Sequence, residues 1–251
     1  MCSTSSGTAP PYPFPTLPPV LARLFLVRHG EVHNPRHLCY GNLPGFGLSR
    51  AGRSQAGAAA DHLAPAGAAL LLSSPLRRAQ ETAAIIGGRL GLRPGTDERL
   101  TEWGLGFRWA GVVWEELPTA FPGELEAYFG HPADLPFSPE PLAAAAERVV
   151  NLVDELGRTH PGAQAILISH QDPLQAARLR LTGGRLADLH VDKPSHASVL
   201  TLEPGPPWRL AELWRPPGPA ASFPPSPVAE RPPARPASPP PPPAGREARR
   251  R

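Results

Sequence analysis

Cysteine is almost missing from the chain: Cys2 and Cys39 stand far apart and form no CxxC pair. That excludes a disulfide framework and a structural zinc site. Seven histidines, His33, His37, His62, His131, His160, His190 and His196, show no HxH or HExxH spacing, so no metal site is expected. No organic cofactor is expected either. No apolar run approaches the ~20 residues of a membrane span. The N-terminus has no basic stretch followed by a continuous apolar one, because Pro10, Pro11, Pro13, Pro15, Pro18 and Pro19 interrupt it. A soluble cytoplasmic chain with no membrane partner is the expectation. Internal repeats are absent as well.

Proline is abundant, and unevenly placed. Of 37 prolines, six fall in residues 1–20 and fourteen in residues 216–251. The expected organisation is a disordered Pro/Ser-rich leader over 1–20, a folded domain over 21–215 and a disordered Pro/Arg-rich tail over 216–251. The run Pro239 to Pro243 favours polyproline II and cannot pack a core. The formal charge of +3 is also a tail property: six arginines against Glu230 and Glu247 give the tail +4, leaving the rest near −1. A near-neutral body does not look like a nucleic-acid reader, which carries positive charge as a stripe on the fold.

Between the ends, strand and helix patterns alternate. Ala22–Val27, Ala68–Leu72 and Ala165–Ile168 are short apolar runs of the kind that form buried parallel strands. Ser49–Leu63 reads as a helix capped by Ser49, and Leu76, Ala79, Ala83, Ile86 and Leu90 recur on one face of another. Ser74-Pro75 and Asp172-Pro173 look like N-cap and first helical residue. Leu142–Leu156 reads as a further helix, and Ala197–Leu202 with Trp208–Trp214 as strands closing the sheet. Residues 112–145 predict short helices and loops. Such alternation predicts a layered α/β fold with a mostly parallel sheet.

Ionisable residues follow three of the strands: Arg28-His29, Arg77-Arg78 and Ser169-His170. In parallel α/β sheets, ligands gather at those carboxyl ends. Arg77 and Arg78 oppose local electrostatics, since cations in a helix's first turn cost about 0.3–1 kcal/mol. A phosphate bound there would offset the cost. Gly30 permits a tight turn beside His29, and a neighbouring guanidinium keeps that imidazole neutral and nucleophilic.

The stretch Leu26-Val27-Arg28-His29-Gly30-Glu31 resembles the signature of the histidine phosphatase superfamily, the phosphoglycerate-mutase-like proteins. Ser73 to Ala83 resembles its second arginine motif, Leu100-Thr101-Glu102 with Gly104 and Gly106 the segment carrying its acid, and Ile166 to His170 the strand delivering its second histidine. The resemblance runs from about Leu24 to Leu213. It implies a three-layer α/β/α sandwich and a metal-independent phosphatase of small phosphorylated metabolites. It further implies that His29 becomes phosphorylated, that Arg28, Arg78 and His170 surround the phosphoryl oxygens, and that Glu102 is the proton donor. Asn34 resembles the phosphate-contacting asparagine, one residue nearer the histidine than usual, and Gly41 is displaced alike.

The chain departs from the family pattern in two places. Gln171-Asp172 follow the second histidine where glycine is common, and Phe107-Arg108-Trp109-Ala110-Gly111 has alanine where a Trp-Glu-Gly region has glutamate. Two alternatives stay open. One is phosphoglycerate mutase chemistry, disfavoured because the single lysine, Lys193, leaves no basic substrate segment. The other is a binding protein that recruits partners through PxxP segments of its tail. Residues 104–145 are the expected lid. The leaving group and the oligomeric state are not legible.

Overall fold

The computed structural model describes residues 20–218. The expected leader and tail, apart from Val20 and residues 216–218, lie outside the described residues. One mixed sheet organises the rest. Its strands are β1 (Arg23–Arg28), β2 (Leu70–Ser73), β3 (Gly95–Thr96), β4 (Gln164–Ser169), β5 (Val199–Glu203) and β6 (Arg209–Trp214), in the spatial order β3-β2-β4-β1-β5-β6. β3, β2, β4 and β1 run parallel, while β5 is antiparallel to both β1 and β6.

Strand alternation divides the core. Leu24, Leu26, Ala165, Leu167, Leu200 and Leu202 point to one face, where they pack with Val149, Leu152 and Val153 of α6 (Leu142–Thr159) and Leu174 and Ala177 of α7 (Gln171–Leu181). Phe25, Val27, Leu71, Ile166, Ile168 and Val199 point to the other, against α1 (Arg50–Leu63) and α2 (Arg77–Leu90). Side chains two apart share a face, so an uninterrupted apolar strand needs a helical layer on each side. This is the three-layer sandwich the sequence implied. β3 went unread because Gly95 and Thr96 are both exposed and join the sheet through backbone pairing with β2 alone.

Two helix starts differ from expectation. α2 begins at Arg77 with Leu76 as N-cap, and Ser74 does not cap it. Ser74 N–H still extends the sheet ladder by donating to Ile168 O at 2.9 Å, so the chain has not yet turned there. α7 begins at Gln171 with His170 as N-cap, placing Asp172 and Pro173 in its first turn. Pro173 is tolerated because first-turn N–H groups have no intrahelical acceptor. The Asp172 carboxylate is drawn sideways to Lys193 instead, at 2.6 Å.

A third apolar cluster spans α3 (Gly104–Arg108), α4 (Leu117–Ala120) and α5 (Glu124–Gly130), with Trp103, Leu105, Trp109, Leu117, Leu125 and Tyr128 buried in it. α4 and α5 are short helices of the kind expected over 112–145, and α3 precedes that range. Among the described residues no helix is long and apolar enough to cross a membrane.

Candidate active site

Sheet register brings the three strand ends together. Arg28 lies opposite Ser169 on β4, and Ser73 of β2 lies opposite Ile168. The ladder continues one residue further, with His29 N–H donating to Ser169 O at 3.0 Å. The residues that follow β1, β2 and β4 therefore emerge side by side.

Arg28, His29, Arg78 and His170 are all buried, at 6%, 1%, 1% and 0% exposure. Four such groups in an interior are costly unless a partner or ligand answers them. The His29 and His170 rings lie 5.2 Å apart, edge to face. His29 Nδ1 is 2.8 Å from Gly30 O. A carbonyl only accepts, so Nδ1 carries the proton and Nε2 keeps its lone pair. Burial holds the His29 imidazolium well below the usual histidine range, with Arg78, His170, Arg28 and His196 adding to the effect. The sequence expectation named Arg28 as the cause; desolvation is the larger one.

Gly30 serves packing as well as the turn. A Cβ there would stand 2.5 Å from Gly52 O of α1, so the backbone after His29 can lie against α1 only as glycine. Gly30 N–H donates to Thr82 Oγ1 at 3.1 Å, and Thr82 in turn donates to Arg78 O at 2.7 Å, tying the signature loop to α2.

Arg78 donates from Nε to His170 Nδ1 at 3.2 Å and from Nη2 to Gly41 O at 2.8 Å, with its guanidinium 4.7 Å from the Tyr40 ring centre. Arg77, its neighbour, is exposed and paired with Glu81 at 2.8 Å. His170 accepts from Arg78, so its Nε2 carries the proton and donates to Ser74 Oγ at 2.8 Å. Burial, then Arg78, Arg148 and Arg28, hold it neutral. Glu102 Oε2 sits 3.7 Å from Arg78 Nη2 and 3.6 Å from His170 Nδ1. Burial raises the Glu102 carboxyl above the usual range against the pull of Arg78, which favours a proton donor there.

Asn34 is held differently from these five. Its amide brackets Leu38, donating to the carbonyl at 2.9 Å and accepting the N–H at 3.1 Å, and so shapes the turn after the signature. Gln171 directs its carboxamide to Pro194 O at 3.1 Å. Trp109, beside Ala110, donates to Glu124 Oε2 at 2.9 Å, while Arg108 grips the same carboxylate. Glu124 of α5 thus supplies an acid in the region where the resemblance lacks one. His33 and His37 are exposed.

Sequence reading missed His196. It is 7% exposed, its ring centre lies 5.6 Å from that of His29, and its Nε2 accepts from Arg28 Nη2 at 3.0 Å. Arg28 Nη1 donates to Pro194 O at 3.0 Å, while Arg28 Nε is buried with no hydrogen-bond partner. No motif flags His196; only its place just before β5, which pairs with β1, could have hinted at it. Lys193 was read merely as a lone cation. It is instead largely buried, donating to Tyr128 Oη at 2.6 Å beside Asp172. Among the described residues no group of three or more His, Cys, Asp or Glu side chains is placed to hold a metal ion.

Two guanidinium groups, two neutral histidines and a carboxyl with raised affinity for its proton form a buried cluster suited to phosphoryl chemistry, and the chain's ancestry agrees. The profile of the histidine phosphatase superfamily (branch 1) matches residues 24–214, and the chain belongs to that family. Its class of enzyme is phosphoric monoester hydrolase. Among its relatives, Mycobacterium tuberculosis Rv0525 is 38% identical over 67% of this chain and 82% of its own length. The glucosyl-3-phosphoglycerate phosphatase of Mycolicibacterium vanbaalenii is 34% identical over 64% and 74%. A mycobacterial glucosyl-3-phosphoglycerate phosphatase solved in complex with VO3 superposes with a TM-score of 0.70 at 31% identity, covering 78% of this chain and 99% of that one.

Proposed function

We propose that the chain hydrolyses a small phosphomonoester, without a metal ion, through a phosphohistidine on His29. The observation that carries this is the His29–Gly30 hydrogen bond, which leaves Nε2 unprotonated on a ring kept neutral by burial and by neighbouring guanidinium groups. Nε2 attacks phosphorus in line while the ester oxygen departs with the proton of Glu102. The Glu102 carboxylate then takes a proton from water as that water attacks phosphorus, the N–P bond breaks, and inorganic phosphate leaves.

Arg28 and Arg78 supply the positive field a metal would otherwise give, and they are already in place before substrate arrives. Arg28 Nε, a buried donor without a partner, suits a phosphoryl oxygen. His170 holds Arg78 in place by accepting from its Nε and would reach a phosphoryl oxygen by turning its Nε2–H away from Ser74, and Asn34 contributes through the amide hydrogen it does not spend on Leu38. Mutase chemistry is not favoured, because Lys193 is already engaged with Asp172 and Tyr128. The names of the relatives make glucosyl-3-phosphoglycerate the first ester to try, within a cytoplasmic pool of small phosphorylated metabolites. Every residue named in this reading lies before residue 216.

Phosphate release from a panel of phosphomonoesters, measured in EDTA for the wild type and His29→Ala, tests this reading. Turnover should survive the chelator and vanish in the variant, with acid-labile phosphate accumulating on the wild type after a rapid quench. Activity retained by a folded His29→Ala protein would end the phosphohistidine proposal. Interconversion of 2- and 3-phosphoglycerate faster than phosphate release would make the chain a mutase. Loss of turnover on deleting residues 216–251 would return the tail to the mechanism.

A further inference from the structure

The loop bearing Glu102 is held by side chains from outside it. Arg148 of α6 donates from Nη1 to Arg99 O at 2.6 Å and to Thr101 O at 2.8 Å, and from Nη2 to Glu102 O at 3.1 Å. Leu100 O, the carbonyl between them, accepts from Ser169 Oγ at 2.6 Å. Glu140 braces the arginine by accepting from its Nε at 2.8 Å, and its second oxygen accepts from Gly104 N–H at 2.9 Å. The indole of Trp103 donates to Glu140 O at 2.8 Å. Four consecutive carbonyls, residues 99–102, thus point at side-chain donors, and three of them share one guanidinium.

An ordinary loop solvates such carbonyls in water. Here an arginine with only 17% of its side chain exposed gives up hydration to collect them, which costs stability unless fully answered. Gly104 lets the brace approach, since a Cβ there would lie 2.8 Å from Glu140 Cβ. What the arrangement secures is the direction in which Glu102 leaves the backbone.

We propose that Arg148, braced by Glu140, is a positioning residue that aims the Glu102 carboxyl at the departing ester oxygen. The proposal rests on the reading of Glu102 as proton donor. A proton donor works only within hydrogen-bond reach of its target, and a displacement of about 1 Å can cost on the order of 10²-fold. The loss depends on the alcohol. A nitrophenolate departs without much help, whereas an alkoxide needs the proton.

The test compares kcat/KM for p-nitrophenyl phosphate, phenyl phosphate and glycerol phosphate across the wild type, Glu102→Gln, Arg148→Met and Glu140→Gln. Arg148→Met should lose about 10²-fold on glycerol phosphate and under roughly tenfold on p-nitrophenyl phosphate, within the span of general acid catalysis. Glu102→Gln should show the same split, and Glu140→Gln a smaller one in the same direction. If Arg148→Met does not fold, Arg148→Lys carries the test, because donors on one nitrogen cannot reproduce contacts that Arg148 spreads over Nε, Nη1 and Nη2. A uniform loss across the esters in the arginine variants, with the split intact in Glu102→Gln, overturns the positioning role alone. A uniform loss in Glu102→Gln overturns the proton-donor reading and the inference with it.

Discussion

Arg78, in the first turn of α2, and His170, just past β4, meet at 3.2 Å, Nε donating to Nδ1. The contact sets the tautomer of His170, because a nitrogen that accepts from a guanidinium cannot carry a proton. It also shapes the arginine, whose Nη2 is drawn to Gly41 O at 2.8 Å. Lysine could reproduce the charge but not the two directed bonds. Arg78→Lys should therefore lower kcat/KM by about 10²–10³-fold, the scale seen when one preorganised donor is removed. Steady-state kinetics on any good ester checks this. Activity within a few-fold of the wild type would mean that charge alone matters at the position.

His196 should act through Arg28. In His196→Leu, Arg28 Nη2 loses its acceptor in the interior, which costs about 1–3 kcal/mol of stability and loosens an arginine proposed to hold phosphate. The inhibition constant of inorganic phosphate should rise about tenfold, equivalent to roughly 1.4 kcal/mol. His196→Gln places an amide oxygen near the original Nε2 and should recover most of that affinity. Equal phosphate affinity in the leucine and glutamine variants would reduce His196 to core packing.

Much of this geometry was legible in the chain because the sheet core is uninterrupted. Strands such as Leu24–Val27 and Ala165–Ile168 are apolar at every position, which leaves a buried parallel sheet as the natural outcome, and their final residues then had to converge. What escaped was carried by tertiary contact. His196, Arg148 and Lys193 sit in no local pattern and gain meaning only from the groups that face them. Ser74 and Asp172 looked like caps because their neighbours are prolines, yet His170 and Lys193 claim them. A local signal was present in both cases, and a longer-range partner outweighed it.

The pH-rate profile should expose Glu102. Burial raises its carboxyl above the usual range, so the protonated form persists further toward neutrality than an exposed glutamate would allow. Proton donation is lost as pH rises through that value, giving kcat/KM for an alkyl phosphate a falling alkaline limb. In Glu102→Gln the limb should disappear along with most of the activity, typically about 10²–10⁴-fold for a general acid. A limb that persists unchanged in the variant would assign it to another group.

Acid should destabilise the fold before the carboxylates titrate. His29, His170 and His196 are all held well below the ordinary histidine range, chiefly by burial, and His190 is lowered as well. In the unfolded chain each titrates near about 6.5. Above that pH both states are neutral and these groups contribute nothing. Below it the unfolded state binds protons the native state refuses, so stability falls as pH drops, by up to about 1.4 kcal/mol per pH unit for each fully discriminating histidine. Glu102 acts in the opposite sense, since its raised affinity favours the native state as pH falls toward the ordinary carboxylate range, but it is one group against several. Denaturant midpoints should therefore stay level from pH 7.5 to about pH 6.5 and then decline toward roughly pH 5. The decline should be shallower in His196→Gln, which deletes one of the histidines that resist protonation. A midpoint that holds constant over this range would show that the buried imidazoles accept protons in place, and the neutral nucleophile proposed for His29 would then lose its footing at mildly acidic pH.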